Sequence, residues 1–238
     1  MRHQSLKSLH YFFTTPLMPC PYLPNLMERR IVTELAGRDV HILHDGLSLR
    51  GFRRSHGIAY APSCPGCNAC VPIRIVVDGF SPSRSQQRIE RKNRHLKWRE
   101  CAAVATPEQF ELFNRYQGGR HTDGEMAKMD ESDYQALVED TPVETCVVEF
   151  RDEDDVLVGV CLLDQVCDGL SAVYSFFDPA LHKNSLGTYM VLWLARRAAS
   201  LQLPYVYLGF WIKDSAKMSY KSNFKPCEMF RDGVWGEG

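Results

Sequence analysis

The chain has 238 residues, 45% of them hydrophobic and 24% charged, with a formal net charge of −1. This length can bury a large core or two modest domains, and the composition is that of a soluble globular protein. A charge so near zero excludes a global field toward nucleic acid, so any polyanion must be met by a local patch. The opening MRHQSLKSLHYFFTTP has scattered charges and no apolar core suited to a signal peptide. The longest apolar helical stretch, 190–195, runs into Arg196 and Arg197. No segment reads as membrane-spanning, and the cytoplasm is the expected compartment.

In chain order, Asn25 followed by Glu28 resembles a capping box and predicts a helix over about 26–36, carrying Leu26, Ile31 and Leu35 and stopping at Gly37. GFRRSHGIAYAP and CVPIRIVVDGF read as strands divided by a cysteine-rich turn. Residues 84–99 hold seven Lys or Arg against one acid, Glu90. Thr106-Pro107-Glu108-Gln109 opens a helix expected to run to about Gln117 and to end at Gly118-Gly119. From 143 onward ETCVVEF and VLVGVCLLD read as strands joined by a charged turn, followed by the strand LSAVYSFFD. A helix over about 185–201, the strand PYVYLGFWI and a short helix near 215–222 complete the chain. Strands, then a helix, then a strand is the order of an acetyltransferase-type core. The class expected is therefore α/β (α+β), with a division at 1–105 and 106–238.

Nine cysteines are present. Without the context of a small secreted chain, disulfides are not expected. Cys101, Cys146, Cys161, Cys167 and Cys227 read as buried reduced thiols. Cys64, Cys67 and Cys70 lie three residues apart in PSCPGCNACVPIRI, and a C-x-x-C turn brings sulfurs to one side. Cys20, between prolines, is the candidate fourth ligand. Four thiolates suit zinc or an iron–sulfur cluster equally well, and a reduced turn is the plain alternative.

Arg84, Arg88, Arg91 and Arg94 fall at helical spacings that would line one face with guanidinium groups, with Lys92 beside them. Such a cluster suits phosphate neutralisation, although a solvated helix face is the usual reading of a charge run. In YQGGRHTDGEM, His121 could act as a general base and Arg120 could fork a carboxylate, while a lone His is more often structural. HKNSLGTYM occupies the strand-to-helix position where acetyltransferases hold a pyrophosphate. It offers only Gly187, so coenzyme A is not expected.

CPYLP, the run from GFRRSHG through the cysteine turn to RI, SRSQQRI, YQ–RH–G–M and YLGFWI–KMSYK–F–P together resemble the bacterial aspartate/glutamate leucyltransferases, a branch of the arginyl-tRNA–protein transferase superfamily. The resemblance runs in order through both halves. It implies an N-terminal transferase domain joined to an acetyltransferase-like (GNAT-type) C-terminal domain. It also implies transfer of leucine from Leu-tRNA to proteins beginning with Asp or Glu, which marks them for degradation. By the same resemblance Tyr116, Arg120 and His121 are catalytic candidates, and Tyr220 and Lys221 of KMSYK are substrate-binding candidates. Eukaryotic relatives carry a cysteine pair at the first site. Here Leu23 stands at that spacing from Cys20, which weighs against a cluster.

An aminoacyl ester is already activated, so an enzyme of this kind mainly positions the attacking amine and needs no cofactor for transfer. The acceptor's acidic side chain calls for a cation, for which Arg54 is the first choice and Arg120 the second, with Arg53 and Arg74 next. The leucine calls for an apolar pocket, which Tyr174, Phe176, Phe177 and Phe210 could line. An arginine donor, a small-molecule acetyltransferase and a non-catalytic RNA-binding module are the rival readings.

Overall fold

The computed structural model describes residues 10–120 and 124–238. Its first part forms β1 (Phe13–Thr14), β2 (Met18–Pro19), β3 (Met27–Glu28) and β4 (Arg30–Glu34), then α1 (Val40–Ser48) and the hairpin β5 (Arg53–Ser55) and β6 (Ile58–Pro62). The helix expected over 26–36 is therefore strand. Asn25 takes φ 62°, and Ile31-Val32-Thr33 is a β-branched run that packs better on a pleated surface than on a helix. α1, which had no sequence signal strong enough to identify it, buries Val40, His44 and Leu47 on one face. Gly51 then turns the chain at φ 79°, where a Cβ would stand 2.6 Å from the Pro72 ring.

The remaining elements are β7 (Val71–Val76), α2 (Arg84–Lys92), β8 (Lys97–Ala102), α3 (Pro107–Arg120), α4 (Glu131–Glu139), β9 (Thr145–Arg151), β10 (Leu157–Val166), β11 (Gly169–Phe177), α5 (Leu186–Ser200), β12 (Tyr205–Trp211), β13 (Cys227–Arg231) and β14 (Val234–Glu237). A four-stranded sheet has the order β1-β4-β6-β5, and an eight-stranded sheet the order β14-β13-β7-β12-β11-β10-β9-β8. The mixed α/β class matches the expected one, and β9-β10-β11-α5-β12 follows the expected order. The larger sheet takes β7 and β8 from before residue 106, so the division at 105/106 does not separate the two sheets.

α5 buries residues around most of its circumference, among them Tyr189, Met190, Leu192, Trp193 and Leu194, which makes it the central helix of the main core. α3 does not stop at Gly118-Gly119 but continues to Arg120. Of the five scattered cysteines only Cys161 and Cys227 are buried; Cys101 and Cys146 are partly covered and Cys167 is exposed. Among the described residues no helix is long and apolar enough to cross a membrane.

Candidate active site

The parallel pair β11 and β12 is joined only at Gly169↔Tyr205, Leu170↔Val206 and Ser171↔Tyr207. Beyond Ser171 the two strands separate, each held on its outer side: β11 pairs with β10 as far as Phe177, and β12 with β7 as far as Trp211. Irregularities sit on both at this point, between Leu162 and Leu163 opposite β11 and between Tyr207 and Gly209 in β12. A bulge bends its strand, and two of them open a gap in the sheet. The gap leaves backbone carbonyls without ladder partners, and buried carbonyls must find others.

Two cations supply them. Arg53, from the small sheet, donates from Nη1 to Ser171 Oγ at 2.9 Å and from Nη2 to the Ala172 carbonyl on the β11 wall. Lys221 donates from Nζ to the Phe210 carbonyl on the β12 wall at 2.9 Å. Gly209, at φ 80°, makes room for Arg53, since a Cβ there would lie 3.1 Å from Nε. Burial lowers the pKa of both groups. Lys221 is brought down to about 7, first by burial and then by the charge of Arg53, against a smaller opposing effect of Cys70.

The aromatic side of the gap gathers Tyr116 from α3, Tyr174 from β11 and Tyr220. Gln117 donates from Nε2 to Tyr174 Oη at 2.8 Å. Burial raises the pKa of all three phenols, and Tyr116 adds to the rise at the other two; Tyr220 reaches about 12. Arg120 ends α3 with its guanidinium 5.3 Å from the centre of the Phe177 ring. His121 lies outside the described residues.

Three expectations for the site are corrected. Arg54 holds the fully buried Asp164 in a fork, Nε to Oδ2 at 2.7 Å and Nη2 to Oδ1 at 2.8 Å, and so has a structural partner in place of a ligand. Arg74 is likewise closed. Glu228 accepts from it at 2.7 Å, the Tyr205 ring lies 3.4 Å away and Trp235 covers it at 4.3 Å. Phe176 belongs to the core, edge-on to Phe113 at 5.5 Å, and does not line the gap. Gln117, Ser171 and Gly209 belong to the site but had no assigned role. Gln117 follows Tyr116 in the quoted YQ pair, whereas nothing in sequence joins Ser171 or Gly209 to Arg53.

The four cysteines come together. Cys20, Cys64, Cys67 and Cys70 line one cavity with Tyr22, Met27, Tyr60 and Phe210. The Cys70 thiol is pushed up to about 12, by burial first and then by the other three. The donor set therefore suits a soft metal in kind, but among the described residues no three potential ligands stand close enough to hold an ion.

The basic segment is a helix only to Lys92. Asn93 caps it and donates from Nδ2 to the Ile89 and Asn184 carbonyls, so Arg94 lies beyond the helix and the chain enters β8. Arg84, Arg88 and Arg91 share the exposed face of α2, and Lys92 is also exposed. Glu90, the one acid of the run, is held by Arg196 at 2.8 Å. Gln86, on the inner face, donates to the Asn223 carbonyl at 3.1 Å, which ties α2 to the 219–223 turn that carries Tyr220 and Lys221.

Residues 18–88 match the N-terminal model, and residues 108–231 the C-terminal model, of arginine-tRNA-protein transferase. The aspartate/glutamate leucyltransferase of Paramagnetospirillum magneticum is 54% identical over 99% of this chain and 96% of its own. That of Granulibacter bethesdensis is 54% identical over 94% and 84%, and that of Rhodospirillum rubrum 49% over 95% and 92%. Among solved structures, L-PGS from Bacillus licheniformis shares the fold alone, with TM-score 0.50 at 13% identity over 70% of this chain and 57% of that one. With both halves matched in order and about half of all residues shared over nearly the whole length, the chain belongs to the aspartate/glutamate leucyltransferase family.

Proposed function

We propose that the protein transfers leucine from Leu-tRNA to the α-amino group of proteins beginning with Asp or Glu, at the gap between β11 and β12, and so marks them for degradation in the cytoplasm. The observation that carries this is the near-complete match to relatives named for that activity. The geometry supports it, because the gap offers cations to an acidic acceptor and is tied through the Asn223 carbonyl to the inner face of α2, whose outer face is basic. In the step proposed, the neutral amine attacks the ester carbonyl of the aminoacyl-tRNA. An amide C–N bond forms, the ester C–O bond breaks, the nitrogen loses a proton and the ribose oxygen of the tRNA gains one. An α-amino group has a pKa of roughly 7.7–8.0, so a useful fraction attacks without a strong base. Tyr116, Gln117 and Tyr174 shape the aromatic wall, and Arg120 stands at its edge.

Native protein incubated with labelled Leu-tRNA is expected to add leucine to peptides beginning with Asp or Glu. No incorporation, or arginine transferred from Arg-tRNA in its place, would overturn the reading.

No cofactor takes part in this step. We further propose zinc or an iron–sulfur cluster on Cys20, Cys64, Cys67 and Cys70 as a structural element, with the thiols drawing together around it. Protein purified without oxygen is expected to carry about one zinc, or iron with sulfide, per chain, and Cys67→Ser to lose it. Metal-free wild-type protein would leave the cysteines as a reduced turn.

A further inference from the structure

Arg53 lies against Gly209, where a Cβ would stand 3.1 Å from its Nε, and Lys221 bonds the carbonyl of the next residue, Phe210, so the two cations meet at one place in the gap and the charge of Arg53 acts on Lys221. Among the described residues no carboxylate stands within ion-pair distance of either. Asp164, a carboxylate whose charge acts on Arg53, is already held by Arg54 in a two-bond fork. Buried charges of one sign with no counter-ion are costly and are retained where an anion completes them. The donors are also incompletely used. The guanidinium has five N–H groups and spends two on Ser171 and Ala172, and the ammonium has three and spends one on Phe210. Arg53 keeps partial exposure, whereas Lys221 is buried, at 9% exposure.

We infer that Arg53 and Lys221 together bind the side-chain carboxylate of the acceptor's N-terminal residue. This rests on the acceptor chemistry proposed above and names the groups that select it. The two cations approach from opposite walls, so one carboxylate can accept from both, one oxygen toward each strand. An amide in its place would bring one –NH2 donor against a cation and no charge, leaving a buried repulsion uncompensated. Asp and Glu are thus separated from Asn and Gln by charge, and the flexible Lys221 stem accommodates the extra methylene of Glu. Arg54 and Arg74 cannot serve, because each already has a carboxylate.

The test is binding of peptides beginning with Asp, Glu, Asn or Gln to the full chain without tRNA, by calorimetry, with leucine transfer measured in parallel. Wild-type protein is expected to hold the Asp peptide on the order of 30-fold more tightly than the Asn peptide. Arg53→Gln and Lys221→Met should each bring the two peptides within a few-fold, and Arg53→Lys should restore part of the ratio. Ser171→Ala, which removes one holder of Arg53 and keeps its charge, should lower the ratio partially, and it serves where the charge-removing variants do not fold. Folded variants that retain the wild-type ratio, or a wild-type protein that does not distinguish Asp from Asn, would overturn the assignment. Selective binding of Asp peptides without any leucine transfer would overturn the proposed activity and leave this site standing.

Discussion

Asp164→Ala is expected to lower the free energy of unfolding by about 3–5 kcal/mol, read from urea denaturation. Asp164 is fully buried and accepts from Arg54 Nε and Nη2 and from Thr145 Oγ1, the last at 2.8 Å, with His44 Nε2 3.7 Å away. Removing the carboxylate leaves the Arg54 guanidinium in the interior with only the His56 carbonyl and Thr145 to answer it. The reverse change, Arg54→Ala, strands the carboxylate and should cost a similar amount. The double variant Arg54→Met, Asp164→Leu should lose much less than the sum of the singles, because it removes both charges at once. A single-variant loss below about 1 kcal/mol would show that water enters and screens the pair. Where Arg54→Ala protein still folds, its preference for Asp over Asn peptides should survive, which separates its structural role from the binding role of Arg53.

The same cluster carries a pH dependence. Burial is the leading influence on His44 and lowers its pKa, with Asp164 opposing. Unfolded histidine titrates near 6.5. Between the lowered folded value and about 6.5 the unfolded state holds more protons. Stability contributed by neutral His44 is therefore present above that pH and is lost as pH falls through the window. A His44→Gln variant should flatten this slope.

The strand pattern from 145 to 211 was legible because its signals are local: β-branched runs, a charged turn over 152–155 and a long apolar helix. The helix read over 26–36 failed because Asn25 and Glu28 have capping spacing whichever structure follows. The left-handed Asn25 and the pairing of β4 with β6 decide the matter, and pairing is not local. The arginines show the same limit. Arg53, Arg54 and Arg74 carry equal chemistry in sequence, and what separates them is an ion-paired acid many residues away: Asp164 for Arg54, Glu228 for Arg74, and none among the described residues for Arg53. The gap itself was invisible, since it depends on where a parallel ladder stops. The cysteines could be grouped because their spacing is short and Cys20 stood alone between prolines. Arg94 was misplaced on the helix because the cap at Asn93 relies partly on a contact with Asn184.

Replacing Arg84, Arg88 and Arg91 together by Ala is expected to weaken Leu-tRNA binding on the order of a hundredfold at 0.1 M salt, and to reduce the slope of log affinity against log salt by about 2–3. A capping box at Ser83 and Gln86 starts α2, and Gln86, Ile89 and Asn93 turn inward, Gln86 to the Asn223 carbonyl and Asn93 to that of Asn184. The three arginines are left outward on one face, and the single acid among them is taken by Arg196. An uncompensated row of guanidinium groups on a protein of net charge −1 is a local field, and each phosphate it neutralises releases condensed counterions. Since these side chains are exposed, the triple variant should unfold at the wild-type urea midpoint. Because α2 reaches the gap only through its inner face, discrimination between Asp and Asn peptides should be unchanged while KM for Leu-tRNA rises. Salt titrations of binding that superpose for the variant and the wild type would place the tRNA backbone elsewhere, with Arg94 and Lys97, just beyond the helix, the next positions to replace.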